Sequence, residues 1–573
     1  MFKRDQICLA IVIFAVSVSS VFAEGQQEQE AAEVEEGVPT YGGTLTYYER
    51  DHSTEPESPG IANAAYFSLT WLCHIQEKPV LGDLEKYGPR GSGETNFQVT
   101  ALIPERFQRG HLIESWEISP DEIIWHVRPG IHWAADNVDW MENRELTAED
   151  LALDIIAFWK SPWGGRFEGI LADVYATDRY TLVIEFENYS GQLMYYLSYE
   201  DRAIYSPPEL EANGPDKWEN QVGTGPFMFE EYVIGSHMSF VRNPNYWKTT
   251  TIEGVEYQLP FADRLVAPII PDVSTQMAAL RTGTIDMYGF APVSTFNTLD
   301  RVPELKNAKY SDVGFGVMLR NDEPPFNDVN VRRAMMLGTD LKTFARFGQA
   351  GDLPAHWWPS HSGNPDVYTP QEELDEDSQT LYEYNPETAK QMLADAGYPN
   401  GFEIDYFITP KIPPLGSEDL AALVKDSWAK IGVEVNIRSF DSTTFTMYRQ
   451  TNSYTDAMQL GTQVGNPLNV IADIGTIGGE FNVARYRNEL VDELVTEAKA
   501  EMDFVQRDRL LKEASVHIID EVPFVPLYLA PQGHYWWPWL RNYFGELSIS
   551  DGFLTEILPY IWIDQDLKAD MGF

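Results

Sequence analysis

Between Val222 and Trp247 the chain reads Val-Gly-Thr-Gly-Pro-Phe-Met-Phe-Glu-Glu-Tyr-Val-Ile-Gly-Ser-His-Met-Ser-Phe-Val-Arg-Asn-Pro-Asn-Tyr-Trp, a pattern that few backbones satisfy. Gly223, Gly225 and Pro226 form a rigid turn that tolerates positive φ. Phe227 to Tyr232 and Met238 to Val241 alternate as half-buried strands do, with Gly235 at the bend between them. Arg242-Asn243-Pro244-Asn245 closes the ribbon with turn chemistry, and Tyr246-Trp247 supplies the apolar mass that pins it. The stretch predicts a β-hairpin docked on a larger body.

At 573 residues the chain exceeds what one hydrophobic core organises, so two or more domains are expected. A hydrophobic fraction of 43% excludes a disordered chain. Lys3 and Arg4 precede an apolar run from Ile7 to Val21, and Val21-Phe22-Ala23 stands before Glu24 as a small-residue cleavage site. These features predict a signal peptide over 1–23, followed by a flexible leader over 24–38 that is rich in Gln, Glu, Ala and Gly. No later segment offers the roughly 18 uninterrupted apolar residues of a membrane span. Cys8 lies inside the apolar run and not at its end, so no lipid-anchor cysteine is evident, and a periplasmic location is expected. Cys73 is then the single mature cysteine, which leaves no intrachain disulfide. A formal charge of -47, from 88 acidic and 41 basic residues, argues against nucleic acid as a partner, because phosphates demand a basic surface.

Tyr41-Gly42-Gly43-Thr44-Leu45-Thr46-Tyr47 opens the folded part as a strand behind a glycine turn. Leu81 to Phe107 reads as a loop-like insertion rich in Gly, Pro and charge. Leu112 to Glu117 and Ile123 to Val127 form two strands about Ser119-Pro120-Asp121. Thr147 caps a helix through Lys160, with Asp150 at capping-box spacing, and Leu182, Ile184 and Phe186 alternate on a strand. Ser274 is the expected cap of a helix over Thr275 to Arg281. Gly314 to Met318 reads as a short strand, Asn385-Pro386 starts a helix stopped by Gly397, and Ser417 to Ile431 is another helix before a strand at Val433, Val435 and Ile437. Arg507 to Asp520 is a last amphipathic helix, and Val522 to Leu529 a strand leading into the aromatic run His534 to Trp539. Helix and strand alternation of this kind implies an α/β fold.

The Val222–Trp247 stretch resembles the signature of the extracellular solute-binding proteins of family 5, the peptide-, nickel- and oligosaccharide-type receptors of ABC importers. Leu112, Glu114, Ser115, Trp116, Arg128, Gly130 and Trp133 match the same family, as does Thr147-Ala148-Glu149-Asp150. So does Asn321-Asp322-Glu323-Pro324-Pro325-Phe326-Asn327-Asp328-Val329-Asn330-Val331-Arg332-Arg333-Ala334, although Leu341 stands where an Arg usually follows the Asp. The resemblance runs from about Tyr41 to about Tyr543. It implies a two-lobed periplasmic-binding-protein type II fold, of cluster C, with an extra subdomain in the first lobe. Lobe I is then expected at 39–75, 207–314 and 530–573, the extra subdomain at 76–206 and lobe II at 315–529, with two crossing strands as the hinge. It further implies a monomer that hands its ligand to the permease subunits of an importer in the inner membrane.

Catalytic motifs are missing: there is no Ser elbow, no His-Glu-x-x-His and no phosphate loop. His126, His132, His356 and His361 lie among apolar residues, where packing is the ordinary role, and neither metal nor cofactor is expected. Aromatic residues, at 13%, carry more information. Trp71, Trp357, Trp358, Tyr535, Trp536 and Trp537 fall where the resemblance puts the cleft, and each fits a cleft wall or ordinary core. A flat ring suits a sugar's C–H face while neighbouring groups bond its hydroxyls. In peptide-binding members an Asp pairs with the peptide's ammonium in the loop that here reads Gln459-Leu460-Gly461-Thr462-Gln463-Val464-Gly465-Asn466-Pro467. Gln463 takes that place, and a neutral amide suits hydroxyls. The ligand sites expected are therefore the six aromatics with Gln463 and Asn466, and the expected ligand is a short oligosaccharide. An oligopeptide is the alternative within the family, and a secreted glycoside-active enzyme the alternative outside it.

Overall fold

The structure is a computed structural model that describes residues 37–49, 52, 58–59, 66–98, 103–200, 202–348, 356–409, 417–463, 465–475, 482–551 and 554–573. A few side chains inside those ranges, that of Gln463 among them, are not described. The signal peptide expected at 1–23 and nearly all of the leader lie outside the described residues. The chain divides after Pro39, and everything below concerns Thr40–Phe573.

Ten strands make one sheet that runs through the whole unit. In chain order they are β1 (Thr44–Tyr48), β2 (Phe227–Val233), β3 (His237–Arg242), β4 (Arg264–Pro268), β5 (Met287–Pro292), β6 (Lys306–Leu319), β7 (Phe402–Ile408), β8 (Val433–Ser439), β9 (Ala457–Gln463) and β10 (Phe524–Trp536). Their spatial order is β8-β7-β9-β6-β10-β5-β1-β4-β3-β2. β1 runs parallel to β4 and β5, and β7 parallel to β8 and β9, which requires the helical crossovers that give the α/β character.

The opening ribbon forms as the sequence predicts, with β2 and β3 paired antiparallel and Gly235 at φ +72° in the bend. Gly223 and Gly225 serve a different purpose from the one expected. Neither has positive φ; a Cβ on either would lie within 2.5 Å of the Ile75 carbonyl oxygen, so they admit the backbone of residues 74–76.

Two strands link the halves of the sheet. β6 and β10 pair antiparallel from Lys306 opposite Trp536 to Met318 opposite Phe524, with slips in register between Ser311 and Val313 and between Phe315 and Gly316. On one side of the first slip β10 borders β5; on the other β6 borders β9. The expected strands Gly314–Met318 and Val522–Leu529 are thus only parts of longer ones, Lys306–Leu319 of 14 residues and Phe524–Trp536 of 13, the second starting two residues later than expected. Three further bounds move. Asp272, not Ser274, caps the helix Val273–Arg281 by accepting the Thr275 amide at 2.8 Å. The last large helix starts at Phe504 behind Asp503, and the loop-like insertion is tied at its base by Val80–Gly82 pairing with Gln108–Gly110.

Separate cores match these halves. Leu45, Tyr47, Phe240, Leu265, Met287 and Trp539 belong to the core around β1, β4 and β5. The other half buries Val317, Met335, Ile404 and Trp428 on one side and Phe407, Met458, Ile471 and Ile518 on the other. A smaller body packs the helix Ala148–Trp159 on a four-stranded sheet of Ile113–Ile118, Glu122–Val127, Thr181–Phe186 and Leu171–Ala176. Its helix begins with the predicted capping box, in which Thr147 and Asp150 exchange hydrogen bonds.

Candidate functional site

The half of the sheet that holds β7, β8 and β9 meets the smaller body and the turn Ile103–Gln108 along a seam. One side of the seam is built by Ile103–Gln108 and the helix Gln192–Ser198; the other by Asn466, the helix Pro467–Gly475 and the helix Phe504–Glu521. Asn466 folds over the start of its helix, where its Oδ1 accepts the Leu468 amide at 3.0 Å. That leaves Nδ2 to donate across the seam to the Tyr199 phenol at 2.7 Å. Gln192 Nε2 donates to Asn469 Oδ1 at 2.9 Å, and the Gly191 amide to the Lys499 carbonyl at 2.7 Å. Tyr195 donates to the Asp551 carboxylate, and Arg507 to Glu105.

Two small adjoining crevices open here, each with room for about one water molecule. Gln108, Tyr195, Tyr199 and Asn469 line the first, Ile103, Asn364 and Asp508 the second, and Glu105, Asn466 and Arg507 line both. Burial pushes the Asp508 carboxyl up to about 6; Glu105 and Asp366 push the same way, and Arg507 opposes them. Burial likewise drives the Tyr199 phenol upward, so it stays a neutral donor and acceptor. Amides, phenols, carboxylates and one guanidinium can orient a polar ligand. Among the described residues no group of three His, Cys, Asp or Glu side chains is placed to hold a metal ion.

Of the residues expected at the site, Asn466 stands on this seam. Gln463 pairs through its backbone with Val313 at the end of β9, and its side chain lies outside what is described. The six aromatics are all at 4% exposure or less, which leaves no ring face open to a ligand in this conformation. Trp71 lies against His52 with ring centroids 4.3 Å apart. Trp357 and Trp358 pack on Phe524, and the Trp357 ring covers Gly314, where a Cβ would come within 2.0 Å of it. Tyr535 bonds Asp300 at 2.8 Å, Trp536 meets Tyr543, and Trp537 stacks on Trp539 at 4.7 Å while donating to the Leu280 carbonyl. His356 bonds Tyr382 and the Thr369 carbonyl, each at 2.7 Å.

Sequence reasoning missed Glu105, Tyr195, Tyr199, Arg507 and Asp508. A faint signal exists in Tyr195 and Tyr199, four residues apart along one helical face, but nothing local marks Glu105 or Arg507.

Comparison with known proteins agrees with this architecture. A family model described as bacterial extracellular solute-binding proteins, family 5 Middle, matches residues 108–473. Heme-binding protein A of Haemophilus influenzae is 28% identical over 445 residues, covering 73% of this chain and 78% of the relative. The dipeptide-binding protein of Escherichia coli is 24% identical over 482 residues, covering 76% and 85%. A solved periplasmic binding protein from Helicobacter pylori, in complex with the peptide STSA, superposes with a TM-score of 0.68 at 20% identity, covering 92% of this chain and 99% of that one. The fold is therefore the two-lobed α/β fold of type II periplasmic binding proteins. These relatives are named for heme and for peptides, and the oligosaccharide expected from Gln463 and the aromatics is corrected on that ground. The physical reason is that the aromatics serve the cores and offer a sugar no open ring face. With a solute-binding family matched over more than half of its length, the reading as a glycoside-active enzyme falls too, and the chain belongs to the bacterial extracellular solute-binding proteins, family 5.

Proposed function

We propose that this protein is the receptor of an ABC importer, exported to the periplasm by its first 23 residues, and that it closes its two lobes on a small peptide-type ligand. The observation that carries the reading is the seam itself, where two strands join the lobes and paired donors and acceptors line the contact between them. A peptide offers amide donors and carbonyl acceptors in alternation, which Asn466, Tyr199, Gln108 and Asn469 can meet. Its ammonium needs a carboxylate because an unpaired buried charge costs several kcal/mol. Glu105, Asp508 and Asp551 stand at or beside the seam, so the amide at position 463 does not decide ligand class. The segment 315–529 turns as one body about β6 and β10, and the monomer passes its ligand to permease subunits. A second reading, a heme-type ligand, is favoured by the name of the relative at 28% identity.

Thermal unfolding in the presence of di- to pentapeptides, with free or acetylated amino termini, and of hemin decides between the two. A ligand present at about 100 times its Kd stabilises the folded state by about 2.7 kcal/mol, which is a shift of a few degrees. Free peptides are expected to give that shift and acetylated ones a smaller one. A shift with hemin alone moves the assignment to heme; no shift with either sinks both.

A further inference from the structure

Tyr48, Tyr288 and Tyr535 stand level across β1, β5 and β10, and β1 and β5 run parallel. This is the carboxyl end of the parallel strands in their half of the sheet, outside which open α/β sheets bind their ligands. His534 on β10 meets Phe290 on β5 and Tyr310 on β6 there, each with ring centroids 5.2 Å from the imidazole. The imidazole is wholly buried, and its two nitrogens have unlike surroundings. Tyr543 donates its phenol proton to the Glu546 carbonyl at 2.8 Å, and His534 Nδ1 lies 2.7 Å from the phenol oxygen. Nδ1 therefore carries a proton and donates it; the opposite direction would leave the phenol and the carbonyl as two acceptors face to face. That leaves Nε2 with a bare lone pair, and among the described residues nothing donates to it. Burial pushes the imidazolium down to about 3, so the ring is neutral at ordinary pH. Tyr310 and Gln532, paired across β6 and β10, keep 9% and 7% exposure, so the lone pair lies one layer beneath solvent. Phe290 stands at the slip in register between β5 and β10 with φ +56°, a backbone that a bulky residue rarely adopts. Orphaned buried groups and strained residues gather where a ligand is received.

We propose that His534 Nε2 accepts an amide N–H of the bound ligand at the crossing strands. The inference rests on the peptide-type reading and narrows it, because it says which group of the peptide is received at this point. A carbonyl or carboxylate would set its own lone pairs against that of Nε2, whereas an N–H meets it. The Tyr543–Glu546 relay makes the preference one-sided: with the Nδ1 proton already engaged, the ring cannot change tautomer to suit an acceptor. A buried acceptor without a donor carries the cost of its desolvation, and that cost is recovered when the donor arrives. The ligand therefore gains affinity from a penalty already present in the empty receptor. It reaches the lone pair by parting the rings of Phe290 and Tyr310, whose centroids stand 6.1 Å apart.

Calorimetry with trialanine and tetra-alanine, and with versions methylated at each amide nitrogen in turn, tests the assignment. One methylated peptide is expected to bind the unmodified protein about tenfold more weakly than its parent, because the lone pair is left without its donor. His534→Phe, which keeps a ring at this place in β10, should weaken the parent peptide by a similar factor and abolish the further effect of that methylation. Tyr543→Phe leaves the imidazole in place but unties its tautomer, and it should weaken the parent peptide a few-fold; it decides the matter if His534→Phe does not fold. Parent peptides that bind both variants as they bind the unmodified protein, or a methylation penalty that persists in His534→Phe, would overturn the role of His534 and leave the peptide reading standing. Alanine peptides that do not bind the unmodified protein at all sink the two together, so the failures are told apart. A Soret band of hemin that the unmodified protein shifts and His534→Phe does not would give the lone pair to iron and overturn the proposal as well.

Discussion

Asp508 shows how one side chain at the seam sets a pH dependence. Its carboxyl is raised to about 6 by burial, a rise that Arg507 opposes and that Glu105 and Asp366 reinforce. The folded protein therefore holds a proton at pH values where the unfolded chain, with an ordinary aspartate near 4, has lost it. Stability from this group is complete below the unfolded pKa and is lost as pH rises through about 6. Asp508→Asn removes the titration. Melting temperatures from pH 4.5 to 8 should show the variant gaining on the parent up to about pH 6 and keeping that lead above it, and parallel curves throughout would mean that Asp508 is no such burden. The same side chain illustrates what a sequence hides. Arg507-Asp508 reads as an ordinary charged helical face, and only the fold brings Glu105, some 400 residues earlier, against it. The aromatic residues were legible in the opposite sense: their abundance promised stacking platforms, yet Trp537 on Trp539 and Trp357 over Gly314 are core packing.

At the scale of elements, whatever is encoded within a few residues was readable. The Thr147–Asp150 capping box, the Asn385-Pro386 start and the β2–β3 hairpin stand as the sequence predicts them. Elements whose ends depend on distant partners were not. The first half of β6, Lys306-Asn307-Ala308-Lys309-Tyr310-Ser311, is polar enough to pass for a loop and becomes a strand because β10 lies beside it. The cap of Val273–Arg281 was misplaced for a subtler reason: Asp272 and Ser274 are both good caps, and Asp272 accepts from both the amide and the hydroxyl of Thr275. Asp272→Ala should therefore lower the urea midpoint of the protein while Ser274→Ala leaves it nearly unchanged. Equal effects would return the cap to Ser274. The seam was legible only at Asn466, reached through the motif around it, because its remaining members come from segments that meet only when the lobes close.

The whole molecule carries a formal charge of -47, and that excess acts on every form of the chain. Self-repulsion among carboxylates is strongest where they are closest, in the folded state, and weaker in the expanded one. Salt shortens the reach of this repulsion from about 30 Å at 10 mM to about 3 Å at 1 M. It also weakens surface pairs such as Arg106–Asp366 and Arg264–Glu231, but each of these is worth only about 0–1 kcal/mol. With 88 acidic residues against 41 basic ones, most carboxylates have no cation to lose, so the relief of repulsion outweighs the loss of pairs. The Glu105–Arg507 contact is largely sheltered, because Arg507 is buried. Raising sodium chloride from about 10 mM to about 500 mM should therefore raise the melting temperature by several degrees, with the radius of gyration of the folded protein unchanged. A melting temperature that falls with salt would mean that surface pairing, not repulsion, governs stability; a rise accompanied by swelling would place the salt-sensitive contact in the seam.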